Sequence, residues 1–472
     1  MQIRYDGIMK TFEIQDGEQK KILALGAESD GNFSYYDGKD IYFSESFGDL
    51  LNEKNLIKFK AAVSDFVQKN GKPEVVISDL HPLFHTTVWA KELAEEFGAE
   101  FIQVQHHLAH IFSGVGDSLI QQCHPERLPV KDESRDPLNL VDQIQLRDSS
   151  ACYSTESACL PARQVGMTKR FIGIACDGIG YGFDGRIWGG EVFLIQNSKF
   201  KIQNEMPDVQ IKRIGKLENQ TLIGGELAIR EPARMLISIL GKFLNKEEVF
   251  QFVKKYYDKN QFELLWNQWK EGFNCLETSS TGRILDAVSV LLGFSENERP
   301  YKHAPIDLLE KNSREAYNIE PVIKEADKRS SKNVTLACPE PDIQEKGNKK
   351  DSGQARMTSA NKLFELQTTE LFKYLVQNLD KDKKRLAATA QMYLAKGLWE
   401  MVSCHSELDS ESKKETRVWN DTPVFFAGGV ANNKIISDFL VEKSVIVSQE
   451  IPRGDAGISF GQLIYYLANS RD

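Results

Sequence analysis

The chain has 472 residues, 41% of them hydrophobic, and a net charge of −9, enough for two or three domains with self-sufficient cores. No apolar run is long enough to cross a bilayer, and the charged start lacks a signal-peptide core, so the cytoplasm is the expected compartment and no membrane partner is expected. The acidic balance offers no general attraction for nucleic acid, and seven cysteines without a CxxC pair argue against a zinc ribbon or a secreted disulfide framework.

In chain order, residues 21–26, 31–36 and 40–44 read as short strands and 56–70 as a helix. A buried-type strand at 74–79, a helix at 87–97 and a strand at 100–105 lead into a histidine-rich segment. A comparable order returns later. Strands at 170–176 and 188–196 flank a glycine-rich turn and a third is expected at 200–205; strand 422–427, helix 433–442, strand 445–448 and helix 457–469 close the chain. A mainly helical block, 232–398, lies between. The repetition predicts an α/β protein of two facing lobes with a ligand cleft between them.

Three polar, aperiodic stretches interrupt this order: 118–168, 332–360 and 403–420. Cys123-His124-Pro125-Glu126-Arg127 echoes Cys404-His405-Ser406-Glu407-Leu408, and residues 162–168 echo 353–358. Loops of this length are unusual inside a compact domain. We read all three as copies of one inserted element, similar to translated bacterial repeats and tolerated at the surface. They remove five of the seven cysteines and two of the eight histidines from the candidate ligands. The competing reading, a metal site built from Cys123, His124, Cys404 and His405, meets the poor chelating geometry of adjacent Cys-His pairs.

The segment Val104-Gln105-His106-His107-Leu108-Ala109-His110 concentrates three histidines in five residues. In a helix, His106 and His110 share one face and can converge on one ion, while His107 points elsewhere. Solvated imidazoles at a polar helix start are the plainer alternative. Cys176-Asp177-Gly178-Ile179-Gly180-Tyr181-Gly182 has glycines at alternating positions, which let backbone approach an anion. It lacks the dinucleotide-fold spacing and resembles the phosphate-contacting hairpin shared by actin, hexokinase and the heat-shock ATPases; an ordinary hairpin is the alternative. Gly428-Gly429 runs from a strand into a helix whose start favours an anion, with Asn433 as nucleotide contact, helix cap or both. Asp455 precedes the last helix, where it can cap or serve as a third hard ligand beside the two histidines. Arg230 and Arg234 hold a substrate anion or pair with Glu226 and Glu231. Asp286, after Gly282 and Arg283, meets a ribose hydroxyl or sits on the helix surface.

Together Ser78-Asp79-Leu80-His81-Pro82, 104–110, 177–191, 224–234, 279–293, 428–433 and 455–462 resemble, in order, the TsaD-like carbamoyltransferase module of the HypF family. The resemblance implies two actin-like lobes of the ASKHA, RNase H-like class with nucleotide between them. The expected layout is a first lobe at 1–117, an insertion at 118–168, a second lobe at 169–450 and a C-terminal segment, 451–472, packing back at the lobe interface. It further implies a metal, iron or zinc, held by His106, His110 and Asp455 with Asp177 as a fourth ligand. Gly178, Gly180, Gly182, Gly428, Gly429 and Asn433 would line the phosphate and nucleotide region, with Gly282, Arg283 and Asp286 near the ribose. The implied activity moves a carbamoyl group from ATP-derived carbamoyl adenylate to a C-terminal cysteine of a HypE-type acceptor. Upstream adenylate-forming motifs are not found, so a separate protein is expected to supply the adenylate. Tyr301-Lys302-His303-Ala304-Pro305 departs from the family's acidic pattern at that loop. Carbamoyl transfer to a small-molecule hydroxyl, threonylcarbamoyl transfer to tRNA and a non-catalytic nucleotide-binding role are the alternatives.

Overall fold

A computed structural model describes residues 4–5, 9–15, 19–122, 160–161, 170–197, 209–326, 362–408 and 422–470. The expected strand at 200–205 and most of the three interrupting stretches lie outside these. Strands β1 (Arg4–Tyr5), β2 (Met9–Gln15), β3 (Ile22–Leu25), β4 (Phe33–Tyr36), β5 (Asp40–Ser44), β6 (Val75–Asp79), β7 (Glu100–Val104) and β8 (Leu160–Pro161) build the first sheet. Its main path runs β1-β2-β5-β4-β3-β6-β7, and β8 pairs with β2. The second sheet holds β9 (Arg170–Tyr181), β10 (Ile187–Asn197), β11 (Val209–Leu217), β12 (Gln220–Ile223), β13 (Cys275–Thr278), β14 (Ile323–Glu325), β15 (Phe364–Leu366), β16 (Val424–Ala427) and β17 (Ile446–Val447). Its main path is β14-β15-β11-β10-β9-β16-β17.

The same unit occurs in both sheets. An antiparallel meander, β5-β4-β3 or β11-β10-β9, is followed by two parallel strands, β6-β7 or β16-β17. Parallel neighbours need crossovers, and helices provide them: α1 (Glu53–Asn70), α2 (His85–Phe97) and, in the second unit, Lys434–Glu442. Helix α1 begins three residues earlier than its apolar spacing suggests, because the Asn52 side chain accepts from Lys54 N–H and satisfies an otherwise orphan donor.

The helix that ends each unit crosses to the other. Helix α3 (His106–Gln122) packs on β9 and β16 of the second sheet, and the C-terminal helix Ile458–Asn469 packs on β3, β4 and β6 of the first. Residues 105 to 117 are all buried, as expected of a helix with protein on every side. One core lies between the sheets, around Phe112, Phe193, Phe425 and Phe460. A second lies beneath α1 and α2, around Phe59 and Trp89. The third joins the outer face of the second sheet to the helical block.

Two of the interrupting stretches begin later than the sequence suggests. Residues 118–122 continue α3, and 403–408 complete the helix Lys383–Leu408, so Cys404 lies on a helix. Polar composition hid both, because the apolar anchors Ile120, Leu398 and Met401 carry those last turns.

The contact between α3 and the C-terminal helix leaves no room for side chains. A Cβ on Gly461 would fall 1.8 Å from the Ala109 carbonyl oxygen, and one on Gly116 would fall 2.6 Å from the Phe460 ring. Gly461→Ala is therefore expected to destabilise the fold by about 3 kcal/mol or more, measured by denaturant unfolding; wild-type stability would show that the two helices do not meet in this way.

Candidate metal and nucleotide site

Helix α3 starts one residue beyond Gln105, whose side chain fixes its first turn. Gln105 Oε1 accepts from Leu108 N–H at 3.0 Å. Its Nε2 donates to His107 Nδ1 at 2.8 Å and to the Tyr181 carbonyl at 3.0 Å. With both amide hydrogens committed, His107 Nδ1 is an acceptor and the ring carries its proton on Nε2. Burial, reinforced by His106, drives its pKa well below the ordinary value. His107 thus stays neutral and packs toward Trp188.

His106 and His110, one turn apart, converge with Asp177 and Asp455. His106 Nε2 lies 3.1 Å from Asp177 Oδ2 and 3.6 Å from Asp455 Oδ1; His110 Nε2 lies 3.4 Å from each. All four residues are buried, and one ligand atom from each lies within 4.8 Å of the others. Asp177 sits on β9, and Asp455 opens a short 3-10 turn before the C-terminal helix. Asp455 caps no helix: its side chain makes no cap hydrogen bond and turns into the cluster instead.

Three further groups, assigned no role from sequence, complete the centre. Asp79 Oδ2 lies 2.7 Å from His106 Nδ1, holding the ring so that Nε2 faces the cluster. Lys302 Nζ donates to Asp455 Oδ2 at 2.7 Å, and the Ser29 hydroxyl donates to the same oxygen. Asp79 closes β6 in the quoted Ser78–Pro82 motif, and Lys302 falls in the loop whose sequence departs from the family pattern. Those two signals were present; nothing marked Ser29.

Charge balance shows what the cluster can hold. Asp79, Asp177 and Asp455 face one ammonium, leaving two buried negative charges uncompensated. Without an ion the imidazoles take up protons. Burial opposes this, but Asp79, Asp177 and Asp455 outweigh it and lift His106 well above its ordinary pKa. Asp177 and Asp455 do the same, more weakly, for His110. Burial likewise opposes ionisation of Asp177 and Asp455, yet the imidazoles at Asp177, and Lys302 followed by the imidazoles at Asp455, hold both carboxyls below the usual range. Asp455 Oδ1, buried between both rings, has no hydrogen-bond partner among the described residues. A divalent cation fits there: it would replace the protons, satisfy the orphan oxygen and balance the charge. Two nitrogen and two oxygen donors suit zinc or iron.

The glycines pack backbone and rings closely. A Cβ on Gly180 would fall 2.3 Å from His107 Cε1, and one on Gly182 would fall 2.4 Å from the Trp188 ring nitrogen. Gly428, at φ +98°, lies so close to β9 that a Cβ would reach 2.2 Å from the Cys176 carbonyl oxygen. The Gly429 amide donates to Asp177 Oδ1 at 3.3 Å rather than standing free for a phosphate. Of Gly178, Gly180 and Gly182, only Gly178 carries an open face, directed at Arg283, and Gly282 presses against it.

Other expected contacts are otherwise engaged. Asn433 accepts from Ile436 N–H as a helix cap and donates to Gln391 Oε1 at 2.7 Å, so each end of its amide makes one bond within the fold. Arg234 pairs with Glu231 at 2.8 Å, and Arg230 is exposed at the end of the short helix Leu227–Arg230; neither joins the cluster. Asp286 is buried, not on the helix surface, because Arg283 and Arg299 neutralise it at 3.0 and 3.5 Å.

Comparison with known proteins follows the same outline. Residues 173–462 match the family described as "Carbamoyltransferase, Kae1-like Domain, second subdomain", and residues 17–117 match "HypF Kae1-like domain". A probable carbamoyltransferase HypF of Methanocaldococcus jannaschii is 30% identical, with 96% of this chain aligned to 47% of that protein. A carbamoyltransferase HypF homolog of Cupriavidus necator is 26% identical over 61% of this chain and 58% of its own length. The chain thus spans about half the length of these relatives. The crystal structure of T. kodakarensis HypF superposes with a TM-score of 0.65 at 25% identity, covering 97% of this chain and 49% of that one. A full-length HypF in its phosphate- and nucleotide-bound form gives a TM-score of 0.66 at 22% identity over 98% of this chain and 47% of that one, a likeness of fold.

Because Asp79 orients His106 from behind, Asp79→Asn should weaken zinc binding about 10- to 100-fold in isothermal titration. Unchanged affinity would contradict the orienting role.

Proposed function

The chain belongs to the HypF carbamoyltransferase family, and on that premise we propose that its central cleft transfers a carbamoyl group from carbamoyl adenylate to a thiol. The acceptor is the C-terminal cysteine of a HypE-type protein, and the product leads to the cyanide ligand of a nickel–iron hydrogenase.

The observation that carries this reading is the convergence of His106, His110, Asp177 and Asp455, with Asp455 Oδ1 left unpartnered between the rings. A divalent iron or zinc ion held there supplies Lewis acidity toward a carbonyl oxygen. The chain's own residues do the rest. Asp79 sets the His106 ring, and Lys302 with Ser29 holds Asp455 by its other oxygen, so the donor set is positioned before substrate arrives. His106, His110, Asp79, Asp177 and Asp455 are all buried, which strengthens the electrostatic contacts among them. No cysteine of this chain is required, since the attacking sulfur belongs to the acceptor. Cys176 supports that division: burial pushes its thiol up to about 12, unsuited to nucleophilic work.

The purified protein, loaded with iron or zinc and given carbamoyl adenylate, should carbamoylate the acceptor's terminal cysteine, read by intact-mass spectrometry. His106→Ala and Asp455→Ala should each lower the rate roughly 100-fold or more. Transfer at the wild-type rate in either variant would overturn the proposal.

A further inference from the structure

A second charged group lies beside the centre, on the other side of the β9 hairpin. Arg283, on the first turn of the helix Thr281–Leu292, is 3% exposed and Asp286 is 1% exposed. Arg283 Nη2 lies 3.0 Å and Arg299 Nε 3.5 Å from the same oxygen of Asp286. Nε and Nη1 of Arg283 have no hydrogen-bond partner among the described residues. Burial pushes the Asp286 carboxyl up against the pull of both arginines, so it neutralises one cation at most. Burial, and then Arg283, lowers Arg299 to about 10, which leaves it charged at neutral pH. The group therefore buries at least one positive charge without a counter-ion, an unfavourable state unless an anion completes it.

The position says where the anion enters. Arg283 Nη2 lies 3.4 Å from the point where a side chain of residue 178 would begin, and Gly178 is partly exposed. The Ser280 hydroxyl donates to the Gly178 carbonyl at 2.6 Å, tying the helix start to the hairpin. The N-terminal end of that helix adds its own positive field. Glycine at 178 thus leaves a path to the guanidinium that any larger residue would narrow.

We infer that Arg283 and Arg299, held side by side by Asp286, seat the phosphate of the adenylate. The assignment rests on the reading above that the cleft holds an adenylate, and it moves Arg283 and Asp286 from the ribose to the phosphate. When the thiolate attacks, the sulfur–carbon bond forms and the bond from the carbamoyl carbon to the phosphate oxygen breaks. The electron pair stays on that oxygen, and the adenylate passes from one negative charge to the two of AMP. A seat with net positive charge holds the product anion more tightly than the substrate and so favours the leaving group.

The test compares AMP with adenosine by isothermal titration on the full chain. Wild type should bind AMP more tightly than adenosine, and inorganic phosphate should compete with AMP. Arg299→Ala should reduce the AMP-to-adenosine preference by about 10- to 100-fold with adenosine affinity unchanged. Asp286→Asn, which removes the negative member, should raise the preference. A merely structural triad would lower both affinities in both variants, and that result, or an unaltered preference, would overturn the inference. If wild type binds neither AMP nor adenosine, the adenylate reading itself fails and this seat with it.

Discussion

Helix α3 is the element on which the rest of the molecule depends, because one rigid segment fixes three things at once. Its first turns present His106 and His110. Its middle packs against the C-terminal helix so closely that the contact is glycine to backbone. Near its end, Asp117 accepts from the backbone N–H groups of Gln449, Glu450 and Ile451, at 3.0, 2.8 and 2.6 Å. These residues lead directly to Asp455. The helix that carries two members of the cluster therefore also holds the segment that carries a third, and Asp177 arrives on β9, against which the helix packs. A displacement of α3 would move every member of the cluster together.

Excess charge of opposite sign on the two sides of one hairpin gives the cleft its polarity. On the α3 side, three carboxylates outnumber one ammonium and call for a cation. On the far side, two guanidinium groups outnumber one carboxylate and call for an anion. The three carboxylates on one side and Arg283 with Asp286 on the other are buried, so solvent screens them little, and each group is costly until filled. A carbamoyl adenylate is suited to such a field, with a carbonyl to be polarised at one end and a phosphate at the other. The field is built into the protein, so little reorganisation is needed as charge moves toward the phosphate.

Local features were the legible ones. The four-residue spacing of His106 and His110 is set by helix geometry alone, and the order of strands and helices in both units could be read from periodicity and turn residues. Asp455, read on its own neighbours, was either a cap or a third ligand, and Asp177 entered the ligand set only through the order of family motifs. The role of Asp79 was hidden because it arises from pairing: β6 and β7 run parallel with Asp79 opposite Val104, two residues before His106. Lys302 and Arg299 reach their partners from a loop, which no periodicity reports. Gly429 shows the reverse case, in which a plausible backbone donor is taken up by Asp177. Composition also misled at 403–408, where polar residues continue a helix whose anchors lie earlier.

The central claim is that four residues from distant parts of the chain form one metal centre. X-ray absorption spectroscopy of the zinc-loaded protein tests it most directly. The account predicts a first shell of nitrogen and oxygen that includes two imidazoles and no sulfur, with one imidazole lost in His110→Ala. Sulfur in the first shell, or an unchanged imidazole signal in that variant, would contradict it.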